Sequence, residues 1–207
     1  MPATSDVAAI THVVYAHGFR SSPQSFKAQF LARWLKQHRP DVQYLCPQLP
    51  VSPQAASELL LNAVHTWPKA SMAVMGSSLG GFYATWLGAV MQCKTVLLNP
   101  AVHPARDLVS HIGTQTAWHN PDEAVVFEQH YIEELKSLYV GQASQDVSAL
   151  PDPTQLLNVV ATGDEVLNWQ EMVARYPFAQ LHLIEGSDHG ISDFEQHFPV
   201  VKAYLGL

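Results

Sequence analysis

Between residues 72 and 81 the chain reads Met-Ala-Val-Met-Gly-Ser-Ser-Leu-Gly-Gly, an apolar run that enters a Gly-x-Ser-x-Gly pentad. A serine hydroxyl is a poor nucleophile in water. A fold that uses one must hold it on a tight turn, aim it at a base and surround the reacting carbonyl with N–H donors. The pentad is the pattern of such a nucleophile elbow: strand, strained turn, helix, with the central serine at the apex. Its register makes Ser78 the candidate nucleophile rather than Ser77, and Gly76 and Gly80 leave room where side chains would strike the neighbouring strand or helix. A helix-like stretch follows, with Phe82, Trp86, Leu87, Val90 and Met91 at helical spacing.

In open parallel sheets, ligands gather beyond the carboxyl ends of the strands, so the polar residues that follow each apolar run are the natural partners for Ser78. These are His17-Gly18-Phe19, Asn99, Gly163-Asp164 and Gly186-Ser187-Asp188-His189. Serine, acid and histidine thus occur in the order Ser78, Asp164, His189, the order of α/β-hydrolases and not of chymotrypsin or subtilisin. The expected roles are attack by Ser78, proton transfer through His189, and Asp164 fixing the tautomer of the imidazole and offsetting its developing charge. The oxyanion would receive the N–H of Leu79, directly after the nucleophile, and that of Phe19, in a loop where Gly18 lets backbone come close. Glu165 is the near rival for the acid, with Glu185 and Asp188 behind it. His12 and His182 fall within strands as structural residues. His17, Arg20 and Asn99 lie at the same strand ends and are expected to contact substrate, with loop shaping by His17 and a capped helix start around Arg20, Ser21 and Ser22 as the alternatives.

The elements that must deliver these residues alternate. Ile10 to Ala16, Val42 to Cys46, the elbow strand, Thr95 to Leu98, Leu156 to Thr162 and Gln180 to Ile184 read as about six near-continuous apolar strands. Between them lie helix patterns: one opened by Ser22 and Pro23 with Phe26, Phe30, Leu31, Trp34 and Leu35 as a core stripe, one carrying Ala56, Leu59, Leu60, Ala63 and Val64, one over Val166 to Tyr176, and a terminal one over Ser192 to Leu205 around Pro199. Such alternation implies an α/β class, a mostly parallel sheet with helices on both faces and right-handed crossovers. Residues 1–207 are expected to form a single domain. Residues 101–150, with scattered histidines, Trp118 and one helical stretch around Glu128 to Tyr139 but no strand pattern, read as a small cap or lid within it.

Composition narrows the partners. The 207 residues are 47% hydrophobic with a formal charge of −7 and no Lys/Arg cluster, which disfavours nucleic acid and anionic membrane surfaces. No apolar run is long enough to span a bilayer, and Met1 to Ala9 lacks the basic and apolar regions of a secretion signal, so a cytoplasmic setting is expected. Cys46 and Cys93 are too few for a disulfide framework and read as buried thiols. None of the eleven histidines forms a His-Glu-x-x-His or similar spacing, so neither metal nor cofactor is expected.

Several blocks together, His17-Gly18-Phe19-Arg20-Ser21-Ser22-Pro23, Pro47-Gln48-Leu49-Pro50, Gly76 to Gly81, Asn99-Pro100-Ala101-Val102, Thr162 to Leu167 and Asp188-His189, resemble the small bacterial YqiA-like esterases. The likeness runs from about His12 to Leu207. It implies an α/β-hydrolase fold lacking the first strands of larger members, acyl-ester hydrolysis that extends to thioesters, and Ser78, Asp164 and His189 as the family's catalytic residues. Arg20 departs from the asparagine expected after His-Gly-Phe, and Gly190-Ile191 from a small residue followed by an aromatic one. The expectation is a serine esterase that forms an acyl-enzyme on small, uncharged or moderately apolar carboxylic esters. An acyl-CoA thioesterase, with Arg20 meeting a phosphate-bearing leaving group, and a non-catalytic binding module on the same fold are the alternatives, and oligomeric state stays open.

Overall fold

The computed structural model describes residues 9–118, 120, 122, 124–141 and 150–207. The N-terminal segment 1–8 and parts of the expected cap, at 119, 121, 123 and 142–149, lie outside the described residues. The chain runs β1 (His12–Ala16), α1 (Phe26–His38), β2 (Gln43–Leu45), α2 (Pro53–Val64), β3 (Met72–Ser77), α3 (Leu79–Met91) and β4 (Lys94–Leu98). It continues through α4 (Pro104–Asp107), β5 (Gly113–Thr116), β6 (Ala124–Phe127), α5 (Tyr131–Ser137), β7 (Leu156–Ala161), α6 (Trp169–Arg175), β8 (Gln180–Ile184) and α7 (Phe194–Leu205).

Six strands form one sheet in the order β2-β1-β3-β4-β7-β8, every pair parallel. The central strands are apolar on both sides because both faces are covered. Val13, Tyr15, Met75 and Val159 meet Leu31 and Leu35 of α1 and Phe194, Phe198 and Val201 of α7. Val14, Ala16, Val74 and Val160 meet Leu60 and Val64 of α2, Phe82 and Leu87 of α3 and Met172 of α6. Neighbouring residues of a strand point to opposite faces, so one run such as Val13-Val14-Tyr15-Ala16 feeds both cores. This is the α/β-hydrolase architecture, with its strand ends β1, β3, β4, β7 and β8 side by side along one edge.

Three details differ from the sequence reading. Residues 101–150 do contain strands: β5 and β6 pair as an antiparallel hairpin. The helix read from Val166 begins only at Trp169, because the Asp164 carboxylate takes the N–H groups of Val166 and Leu167 and Asn168 then caps the helix through Gln170 N. In the α1 stripe, Leu31 and Leu35 are buried as expected, but Phe26 is 46% exposed and lies beside the cleft described below. Leu59 of α2 is likewise exposed, Cys93 is buried and Cys46 half-buried, and burial pushes both thiols up to about 12.

Candidate active site

Ser78 sits between β3 and α3 with φ 57° and ψ −123°, a backbone conformation costly for any residue with a side chain. The surrounding glycines show why the turn can close. A Cβ on Gly76 would stand 2.0 Å from the Gly80 carbonyl oxygen, one on Gly80 would stand 2.0 Å from that of Ala16, and one on Gly81 would press on Pro100. The turn is then pinned from below: Ser78 N–H donates to Leu98 O, while Ser78 O accepts from Gly81 N and Ala101 N.

His189 arrives on the loop after β8 and Asp164 on the loop after β7. The imidazole Nε2 lies 2.9 Å from Ser78 Oγ and Nδ1 lies 2.8 Å from Asp164 Oδ2. A carboxylate only accepts, so Nδ1 carries the proton and Nε2 is left to accept from the serine hydroxyl. The Asp164 side chain is fully buried, and its second oxygen accepts two backbone N–H groups, from Val166 and Leu167, at 2.8 Å each. Three donors therefore offset the desolvation of one buried carboxylate. Glu165, the rival acid, instead accepts the backbone N–H of His189 through Oε2 at 2.9 Å, and Asp188 is occupied by Ser192 N.

The loop after β1 runs alongside the hydroxyl. A Cβ on Gly18 would lie 3.2 Å from Ser78 Cβ and 3.7 Å from its Oγ, so any side chain there would crowd the Ser78 hydroxyl. Among the described residues, neither the Phe19 nor the Leu79 N–H has a hydrogen-bond acceptor within the protein. Both residues line a cleft of about 510 Å³ that opens on Ser78 and His189 and is walled by Ala101, Pro104, Leu108 and Val166.

The three residues expected to contact substrate are placed differently. Asn99 is fully buried at φ 42°, and its amide is wholly committed: Oδ1 accepts from Ala161 N, and Nδ2 donates to the carbonyls of Asp188 and His189. It is not a substrate contact but a tie between β4, β7 and the histidine loop. His17 is buried too. Its Nε2 accepts from Leu49 N, so Nδ1 holds the proton and donates to Gly18 O; the ring shapes the loop, and both nitrogens are engaged away from the cleft. Arg20, at φ 60°, donates Nε to Thr116 O and lays its guanidinium 4.2 Å from the ring of Trp118, whose N–H donates to Arg20 O. It fastens hairpin β5–β6 to the loop after β1 while still lining the cleft.

One residue that sequence reasoning passed over stands out. Lys27, the second residue of α1, is buried, and its ammonium donates to the carbonyl of Gly190, next to the candidate base. Burial draws its pKa down to about 8, with Asp188 and Asp164 pulling the other way. Nothing local in the sequence separates this lysine from a solvated one at a helix start.

Among the described residues, no group of three or more His, Cys, Asp or Glu side chains is arranged to hold a metal ion, and no helix is long and apolar enough to cross a membrane.

The chain belongs to the uncharacterised protein family UPF0227, whose model matches residues 12–206; this is the YqiA family that the sequence blocks resemble. It is 24% identical to a UPF0227 protein of Yersinia enterocolitica, over 94% of this chain and 99% of the relative. Among solved structures it is similar to Est1E from Butyrivibrio proteoclasticus, with 16% identity and a TM-score of 0.70 over 98% of this chain and 89% of that one. A monoacylglycerol lipase from Paleococcus ferrophilus matches with 13% identity and a TM-score of 0.68 over 96% of both chains. At these identities the likeness to solved structures establishes the α/β-hydrolase fold.

Proposed function

We propose that this UPF0227 chain is a serine esterase that hydrolyses small carboxylic esters through an acyl-enzyme on Ser78. The observation that carries the reading is the continuous hydrogen-bonded line from Ser78 Oγ through His189 to the buried Asp164, beside two backbone N–H groups that have no acceptor among the described residues. A fold relative named as a monoacylglycerol lipase agrees with it, though on fold alone.

The steps follow from the geometry. As Ser78 Oγ closes on the acyl carbon, its proton passes to His189 Nε2, and Asp164 stabilises the imidazolium that results. The carbonyl oxygen gains charge and takes hydrogen bonds from the Phe19 and Leu79 N–H groups, which need no reorganisation to receive it. Collapse of this intermediate transfers the His189 proton to the leaving alcohol oxygen. Water, deprotonated by the same nitrogen, then attacks the acyl-serine, and as the acyl–Oγ bond breaks the proton passes from His189 Nε2 to Ser78 Oγ and the acid is released. The cleft under α4 and the Val166 loop supplies an apolar wall for one half of the ester. The thioester alternative draws on the same Ser78, His189 and Asp164 and on Arg20, which lines the cleft with its Nε bonded to Thr116 O and its guanidinium against Trp118.

Purified protein should release p-nitrophenol from p-nitrophenyl butyrate, and Ser78→Ala should lower kcat by on the order of 10⁶ while leaving the fold intact. Wild-type turnover by a folded Ser78→Ala protein would overturn the assignment. Asp164→Asn should be severe but leave measurable activity, read as a kcat loss of roughly 10⁴ at neutral pH.

A further inference from the structure

A second cavity, of about 300 Å³, also opens on Ser78 and His189, on the side of α1. Its character differs from the cleft under α4. Lys27, Ser25 and Ser77 line this second cavity, with Phe26 and Trp118 among its walls, and among the described residues no carboxylate side chain does. Among the described residues three features there are short of hydrogen-bond partners, although the Asp188 and Asp164 carboxylates act on the Lys27 ammonium through space. Ser25 occupies the N-cap of the 13-residue α1 yet makes no capping bond, and its Oγ is buried with no hydrogen-bond partner. The first turn of α1 contains no acidic residue; it carries Lys27 instead, a cation at the end of a helix where anions are favoured. Among the described residues the Gly190 carbonyl is the single acceptor for the three N–H groups of that ammonium. Buried donors without acceptors are costly, and here a helix terminus, an ammonium and a hydroxyl converge on one solvent-connected space beside the nucleophile.

We propose that this cavity is a subsite for an anionic group, a carboxylate or a phosphate, carried by the ester substrate, with Lys27 and Ser25 as its specificity-determining residues. The inference rests on the esterase reading and sharpens it, replacing the uncharged ester expected from the sequence by one with a negative end. The anion accepts from Lys27 Nζ and, once the Ser25 hydroxyl turns outward from its buried position, from Ser25 Oγ, and it faces the positive end of α1 while the scissile carbonyl lies over Ser78. The overall charge of −7 does not oppose this, because the recognition is local and enclosed. The bond from Lys27 to Gly190 O also holds the histidine loop, so Lys27 affects every substrate to some degree; the charge-specific part is what the subsite adds.

The test uses pairs of esters of similar chain length. Monoethyl succinate against ethyl butyrate places the charge on the acyl half. Acetoxyacetate against propyl acetate, and 2-acetoxyethyl phosphate against butyl acetate, place a carboxylate or a phosphate on the alcohol half. In at least one pair the charged ester should have the higher kcat/KM by tenfold or more. Lys27→Met should cut that ratio at least tenfold, since any loss through the histidine loop falls on both esters and cancels. Ser25→Ala, which leaves the Gly190 bond in place, should cut it several-fold. Neutral esters preferred in all three pairs, or a ratio unchanged in folded Lys27→Met and Ser25→Ala proteins, would overturn the subsite while leaving the esterase standing. No Ser78-dependent hydrolysis of any of the six esters would bring down both.

Discussion

Ser78 and its glycines show how closely backbone and chemistry are coupled at this site. Gly80 is as tightly constrained as Gly76, since its Cα faces the Ala16 carbonyl with no space for a methyl group. Gly80→Ala should destabilise the protein by on the order of 3 kcal/mol, measured by denaturant titration, and slow turnover by displacing the elbow against β1. Asn99 makes a comparable prediction from polarity rather than volume. Asn99→Ala would leave the buried Ala161 N–H and the His189 carbonyl without partners, while the Asp188 carbonyl keeps the Ile191 N–H, costing about 1–3 kcal/mol and lowering kcat more than it changes KM. The hydrogen-bonded line of Ser78, His189 and Asp164 was readable from the rule that polar residues gather at strand ends. That same rule misplaced Asn99 and His17, because it says where a residue sits on the sheet and not whether its side chain turns toward the cleft or into the packing beneath it. Lys27 was silent for a different reason. Its burial comes from the histidine loop closing over α1, a contact 163 residues away in the chain.

At the level of elements, the central strands and their covering helices were legible because continuous apolar runs of five or six residues have few alternatives in an alternating pattern. The β5–β6 hairpin was not. Gly113-Thr114-Gln115-Thr116 has no apolar face, and its side chains alternate between half-buried and exposed, so no periodic signal marks it. What places the hairpin over the site is tertiary: the Arg20 bond to Thr116, the Trp118 bond to Arg20, and the cation–π contact between the same two side chains. Arg20→Ala should therefore speed amide hydrogen exchange at Trp118 and along Gly113–Thr116 while leaving β3 and β4 protected. Because Trp118 borders both cavities, the same substitution should raise KM for bulky esters more than for acetates, by several-fold. The shortened α6 was equally hidden, since it depends on Asp164 choosing backbone donors in its own loop.

For the molecule as a whole, the two-faced core leaves the site at one edge of the sheet, and titration of the parts around that edge should govern acid stability. His182 is held below its ordinary 6.5 by burial and by His197, so the unfolded chain takes up that proton first, and stability should begin to fall as pH drops through about 6.5. Asp193 is held below its ordinary 3.8, chiefly by the hydrogen bond from Ser187 and further by His197, and Glu171 below 4.5 by Arg106. Their stabilisation is present above those values and is lost as pH falls through the depressed ones, giving a second, steeper decline below about pH 4.5. Thermal melts from pH 8 to pH 3 should show both phases. His182→Gln should remove the first phase and leave the second.

The account depends most on Ser78 being the nucleophile that His189 activates. Reaction of the folded protein with a fluorophosphonate, followed by intact-mass measurement and peptide mapping, tests this directly. One label per chain is expected, on the peptide at Ser78, absent from Ser78→Ala and slowed by several orders of magnitude in His189→Ala. A folded protein that takes no label, or that carries it on Ser77 or at an undiminished rate without His189, would contradict the account.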